Sequence, residues 1–368
     1  VYMRLPPGFS YGHENKVYRL QKSLYGLRQS PRNWFAKLTS SLQAYGFVQS
    51  NADYTLFTLT RGSIFLALLV YVDDIVLAGN NSKACHDVKT YLNSCFKIKD
   101  LGPLRYFLGI EIARNKDGLF LCQRKYALDI LKEIGLINCH PAYSHMEQNH
   151  RLAIADGPDY GDPARYRHII GKLVYLTLTR LDLCYVVHIL SQFMKAPKEA
   201  HYEATLRVLR YIKFSPGHGI LLSSVCDLQV HAYRDSDWVS CPLTRRSVTG
   251  FFIKLGNSPI SWKSKKQVTV SRSSTEAEYR SMAATTAELV WLKSFLASLG
   301  VCQLGPMELF CDNKAAMHIA ANPVFHERTK HIELDCHFIR EHILAKTICT
   351  VYIRSQSSSQ IRSLRLWA

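Results

Sequence analysis

The stretch "LLVYVDDIVLAG", residues 68–79, sets Asp73 and Asp74 inside the densest aliphatic run of the chain. A core does not hold unpaired carboxylates, because their desolvation is too costly. The apolar segments on either side are too short to span a bilayer. What remains is a tight turn between two strands, with the acids at its tip and something cationic facing them. The flanking sequence agrees. Residues 54–59 and 64–72 read as strands before the acids, and 75–78 as the return strand.

Upstream, Ser30 and Pro31 open a helix as N-cap and first helical residue, and Gly46 ends it. Trp34, Phe35, Leu38, Leu42 and Tyr45 share one face at helical spacing. Downstream, "KDLGPLRYFLGIEI" is a second glycine-punctuated hairpin and "YALDILKEIGL" a short amphipathic helix.

Lys and Arg number 46 against 29 Asp and Glu, a formal charge of +17. The isoelectric point near 9.4 suits a polyanionic partner, nucleic acid being the commonest. Hydrophobic residues at 47% and charged residues at 20% are ordinary for a globular chain of 368 residues, long enough for two or three domains. The sequence holds no signal peptide, apolar transmembrane run or low-complexity tract. Its 11 cysteines contain no Cys-x-x-Cys pair and read as reduced thiols.

Tyr71-Val72-Asp73-Asp74 resembles the Tyr-x-Asp-Asp turn of reverse transcriptases. Together with "VYMRLPPGF", "KSLYGLRQSPRNW" and "LGPLRYFLGIEI", in that order, it resembles the polymerase of copia-type LTR retrotransposons. The resemblance implies RNA-directed DNA synthesis from template RNA, primer DNA and deoxynucleotides, by two-metal phosphoryl transfer with Mg²⁺ or Mn²⁺. It makes Asp73 a metal ligand and Asp74 its supporting partner. Gly26 and Gln29 match the block bordering nucleotide and template, and "LGPLRYFLG" matches the primer-grip hairpin. The family's other polymerase Asp lies upstream of "VYM". Without it and the fingers, no DNA polymerisation is expected from this chain.

Between about residues 139 and 228 the pattern is helical. Leu206, Leu209 and Ile212 line one face with Arg207, Arg210 and Lys213 near its edge. This part resembles the family's connection, expected to act as scaffold and duplex contact.

From His231 onward the order is three strands, a helix, a strand, two helices and a strand. Asp235 ends the first strand, and Asp312 ends a strand reached through a helical crossover, so the two strands can be parallel neighbours. Glu278 lies early in the crossover helix, expected over about 274–299, with Thr275 and Glu278 in capping-box spacing. Three carboxylates meeting at one point repel unless divalent cations lie between them. The element order is that of the ribonuclease H fold, and "SDWVSCPLTRRSVTGFF" and "SWKSKKQVTVSRSSTEAEYRSMA" resemble the copia-type nuclease. The resemblance implies that Asp235, Glu278 and Asp312 hold the metals, again Mg²⁺ or Mn²⁺. Their ions would activate a water to cut RNA in an RNA–DNA hybrid. Lys263, Lys265, Lys266 and Arg272 would touch backbone phosphates. Asp237 and Glu276 read as supporting or solvated acids.

A fourth nuclease Asp belongs in a family segment Gln-Leu-Ala-Asp-x-Phe-Thr-Lys after the last strand. Residues 358–368 can be encoded so that a one-base shift reads Gln-Leu-Ala-Asp-Thr-Phe-Thr-Lys-Ala-Leu-Gly. The hypothesis is a single-base frameshift near Ser357 that reduces nuclease activity, and codons incompatible with that shift in the encoding DNA would end it. The expected fold is α+β. A truncated palm and start of thumb (1–135) and a helical thumb or connection (136–228) precede an α/β ribonuclease H-like domain (229–368). The expected function is that of a retrotransposon reverse transcriptase and ribonuclease H fragment, impaired by truncation. The alternative is a catalytically inactive nucleic-acid-binding remnant or reused product of a transposon. No membrane partner is expected. By family, location is a cytoplasmic virus-like particle or the nucleus.

Overall fold

The strand Ile64–Tyr71 explains the first part of the molecule: Leu66, Leu68 and Val70 alternate with less buried neighbours and point into one core. The computed structural model describes residues 2–4, 17–22, 24, 26–147, 152–303, 305–321 and 332–354. The fold is α+β, in two compact units, Val1–Gly102 and Pro103–Ala368.

In the first unit β1 (Tyr2–Arg4) pairs with β2 (Val17–Arg19). Helix α1 (Ser30–Tyr45) leads into β3 (Val48–Gln49), β4 (Leu56–Arg61), β5 (Ile64–Tyr71), β6 (Asp74–Gly79) and α2 (Ser82–Cys95). The sheet order is β3-β4-β5-β6, antiparallel throughout. Leu38 and Leu42 of α1 and Val88 and Leu92 of α2 close the core over the β5 side chains. Each such buried aliphatic contributes about 1.5–3 kcal/mol.

Gly46 ends α1 in the left-handed region at φ 111°, as its position predicts. Ser30, however, is the first helical residue and Gln29 the N-cap, while the Ser30 hydroxyl donates to the Leu24 carbonyl at 2.6 Å. Strand β4 starts at Leu56 rather than at residue 54, because the Asp53 carboxylate accepts from both the amide and the hydroxyl of Thr55 and makes a turn there.

The second unit begins with β7 (Tyr106–Phe107), β8 (Ile110–Asn115) and β9 (Gly118–Cys122), followed by α3 (Arg124–Ile134), α4 (Pro163–Leu176), α5 (Cys184–Ser191) and α6 (Glu199–Phe214). Then β10 (Gly219–Ser223) returns to pair with β9, giving the antiparallel order β10-β9-β8-β7. The four helices share a core that includes Tyr166, Ile169, Leu173, Val186, Leu209 and Ile212. Arg207 and Lys213, near the edge of the apolar face of α6, both bind their own chain. Arg207 pairs with Glu147 at 2.5 Å and Lys213 donates to the Cys139 carbonyl at 2.5 Å, clasping the segment before α4.

The last sheet contains β11 (Val230–Ser236), β12 (Val248–Leu255) and β13 (Ser258–Lys266), then, after α7 (Ser274–Ser298), β14 (Met307–Cys311). After α8 (Lys314–Ala321) and α9 (Glu333–Leu344) it ends with β15 (Ile348–Tyr352). Its order is β13-β12-β11-β14-β15; β11, β12 and β13 are antiparallel, whereas β14 runs parallel to both β11 and β15. Tyr279, Met282, Leu289 and Leu292 of α7 pack on Val230, Ala232, Ile253 and Leu309 of the sheet. None of the 11 cysteines is in a disulfide. Among the described residues no helix is long and apolar enough to cross a membrane.

Candidate metal centre and acidic hairpin

The acidic hairpin of the first unit forms as its sequence requires. Tyr71 pairs with Asp74 as the last rung between β5 and β6, leaving Val72 and Asp73 as a two-residue turn. Val72 sits at φ 51°, the positive φ that primed hairpin turns need and a β-branched residue resists. Tyr71, Val72, Asp73 and Asp74 are all exposed at the tip. Gly26, at φ 89°, and Gln29 are exposed ahead of α1. Among the described residues no further His, Cys, Asp or Glu joins Asp73 and Asp74 in a group able to hold a cation.

In the second unit the carboxylates do converge. One ligand atom from each of Asp235, Glu278 and Asp312 lies within 4.8 Å of the others. Parallel pairing of β11 with β14 sets Tyr233 opposite Phe310, and Asp235 and Asp312 each stand two residues beyond. Glu278 comes from the second turn of α7. Asp235 and Glu278 are only 5% and 6% exposed. Burial raises the Glu278 carboxyl to about 7, with Arg234 opposing the rise and Asp235 and Asp312 adding to it.

The helix start that aims Glu278 is not the one expected. Ser273 is the N-cap and its hydroxyl accepts from the Glu276 amide at 3.1 Å, while a Glu276 carboxylate oxygen accepts from the Arg272 amide at 2.8 Å. The cap is therefore built by Ser273 and Glu276 rather than Thr275 and Glu278. Glu276 also pairs with Arg280 one turn on, at 3.0 Å. Asp237 is structural as well: it accepts from the Val248 amide at 2.6 Å and from the Ser240 hydroxyl, and burial pushes it up to about 6.

The basic run divides. Lys263, Lys265 and Arg272 are exposed, but Lys266 is half-buried and donates to Gln192 Oε1 and Cys241 Sγ, each at 2.9 Å. The Lys266 amide donates to His188 Nε2 at 3.0 Å. These bonds tie the end of β13 to α5 and to Gln192 just beyond it, an engagement that alternation along a strand does not reveal.

Sequence reading missed Arg234. It is fully buried, its Nη1 donates to the Glu278 main-chain oxygen at 2.9 Å, and it is ion-paired with the Glu278 carboxylate. Its Nη2 donates to Cys311 Sγ. The signal was present: Val230, Ala232 and Arg234 are the inward positions of one strand, and an inward arginine needs a carboxylate partner. The C-terminal segment assigned to a frameshift lies outside the described residues.

The mixed fold carries an acid-tipped hairpin and a carboxylate triad with two of its three members buried, and comparison with known proteins identifies the family. Residues 1–148 match the family model "Reverse transcriptase (RNA-dependent DNA polymerase)". The chain is 45% identical over 354 residues to the retrovirus-related Pol polyprotein from transposon RE1 of Arabidopsis thaliana, covering 96% of this chain and 24% of that protein. It is 33% identical to the corresponding polyprotein from transposon TNT 1-94 of Nicotiana tabacum, over 93% of this chain and 26% of that one. An uncharacterized mitochondrial protein of Arabidopsis thaliana is 46% identical over 224 residues, 61% of this chain and 93% of the relative. The chain belongs to the copia-type retrovirus-related Pol family of transposons and carries its reverse transcriptase domain. It spans about a quarter of the length of the Pol polyproteins it matches.

Proposed function

We propose that this chain is the reverse transcriptase and ribonuclease H segment of a transposon Pol polyprotein, with hydrolysis of RNA in RNA–DNA hybrids seated at Asp235, Glu278 and Asp312. One observation carries the reading: these carboxylates meet within 4.8 Å at the carboxyl ends of two parallel strands and the start of their crossover helix. The strand order β13-β12-β11-β14-β15 supports a ribonuclease H-like module over residues 229–368. Residues 1–135 are assigned as palm and start of thumb, and 136–228 as the helical connection.

Hard carboxylate oxygens at this spacing fit Mg²⁺ or Mn²⁺. Bound divalent ions would supply water activation and neutralise charge at the scissile phosphate. Asp235 and Asp312 would grip from the strand ends, and Glu278 from the helix. Exposed Lys263, Lys265 and Arg272, with half-buried Lys266 beside them, would contact backbone phosphates. Asp73 and Asp74, at the hairpin tip of the matched reverse transcriptase region, would be metal ligands for DNA synthesis in the family, a synthesis not expected from this chain by itself.

A second reading, hybrid binding without catalysis, is favoured by the Arg234–Glu278 ion pair inside the site. End-labelled RNA annealed to DNA and incubated with the full chain decides between them. Cleavage with Mg²⁺ or Mn²⁺ is expected, with Asp235→Asn or Asp312→Asn slowing it at least about a hundredfold. Hybrid bound but uncut with either ion supports the second reading. Hybrid neither bound nor cut overturns both.

A further inference from the structure

Val230 and Ala232, the other inward residues of β11, belong to the apolar core under α7, so Arg234 enters the site from inside the protein. A fully buried guanidinium is costly unless its charge is matched, and it does not escape by deprotonation. Its charge is matched by Glu278, which it contacts at both the main-chain oxygen and the carboxylate. Its other terminal nitrogen is anchored on Cys311, immediately before Asp312. Its Nε is buried and finds no acceptor among the described residues. A side chain so placed leaves Nε unpartnered to keep Nη1 on Glu278 and Nη2 on Cys311.

The consequence is a competition. Glu278 offers the same carboxylate to the guanidinium that it would offer to a divalent ion. The guanidinium offsets one unit of the negative charge that the carboxylates bring to the site. A fixed positive charge beside an incoming divalent cation also opposes it directly, with little water to screen the repulsion.

We propose that Arg234 is a resident counter-cation of the carboxylate site, holding Glu278 and weakening divalent-ion binding so that the chain needs high metal concentrations. The proposal deepens the hybrid-nuclease reading and rests on it. Arg234 is a positioning and metal-affinity residue and takes no part in bond making.

The test is Mn²⁺ affinity of the full chain, read from the electron paramagnetic resonance signal of free Mn²⁺, in a cycle of Arg234→Gln, Glu278→Gln and the double variant. R234Q is expected to tighten Mn²⁺ binding about tenfold, and E278Q to weaken it about tenfold more in the R234Q background than in the native one. The melting temperature supplies a second readout. R234Q should melt below the native chain without metal and gain more from added Mn²⁺. Equal effects of E278Q in both backgrounds, or unchanged or weaker Mn²⁺ binding in folded R234Q, overturn the proposal. Should R234Q fail to fold, Arg234→Lys replaces it. Lysine keeps the charge without the forked donors, a gain of about threefold is expected, and no gain overturns the idea. Asp312→Asn separates the two failures: Mn²⁺ binding indifferent to D312N in every background overturns the nuclease reading and this proposal together. Binding lost in D312N without a cycle effect overturns this proposal alone.

Discussion

Tyr233 and Phe310 face each other across the parallel pair β11–β14, and their rings stack with centroids 4.8 Å apart and planes 8° from parallel. Two residues further along each strand stand Asp235 and Asp312. The stack therefore pins the register that brings the acids together, since a slip of one residue would send one of them to the opposite face.

Phe310→Ala is expected to cost about 2 kcal/mol, from the lost ring pair plus part of a half-buried side chain. Urea unfolding checks this. Mn²⁺ affinity should fall in the same variant, because the register is then held by backbone bonds alone. Phe310→Tyr should change both by little.

Val72 carries the strain of the acidic hairpin at φ 51°. Val72→Gly removes the β-branched clash and adds chain entropy to the unfolded state, for a net stabilisation of about 0.5–1 kcal/mol. A raised melting temperature without a change in far-ultraviolet circular dichroism is the expected result.

Arg180 is buried and ion-paired with Asp182 at 2.7 Å, and it also donates to the Ser215 carbonyl at 2.9 Å. It ties the α4–α5 connection to the end of α6. Burial alone would raise the Asp182 carboxyl, but Arg180 brings it below the ordinary range. Arg180→Ala is expected to cost about 3–5 kcal/mol by leaving a carboxylate buried without its partner. Arg180→Met with Asp182→Leu should recover much of that loss in chemical denaturation.

His188 accepts the Lys266 amide on Nε2, so its native ring is neutral at that atom. Burial, reinforced by Lys266 and Lys265, lowers its pKa from 6.5 to about 4. Between those values the unfolded chain binds the proton and the folded chain does not. The stability held by the neutral ring is thus complete above pH 6.5, declines as pH falls, and is gone below about 4. The change is on the order of 3 kcal/mol. His188→Gln should flatten the pH dependence of unfolding in that window, and an unaltered slope would contradict the assignment.

Much of the arrangement could be read in the chain itself. Adjacent aspartates within an aliphatic run had no stable place except a turn, and the Tyr71–Asp74 rung bears this out. Gly46 stopped α1 because it alone tolerates that φ without cost. The strand and helix order after His231 implied parallel neighbours ending in acids, which β11 and β14 are. Local assignments failed where a side chain had two competing uses. Ser30 bonds backward to Leu24 instead of capping, and Ser273 with Glu276 takes the capping role that spacing had given to Thr275 and Glu278.

Periodicity and residue chemistry, which act over a few positions, were enough to determine where turns, helices and acid-bearing strand ends fall. Long-range pairing decided the rest. Whether a cation reaches phosphate or its own fold depends on neighbours dozens of residues away: Lys266 meets His188 and Gln192, and Arg234 meets Glu278. Only packing determines which charges lose their water, and that loss makes Arg234 a partner of the carboxylate site rather than one more basic residue in a basic chain.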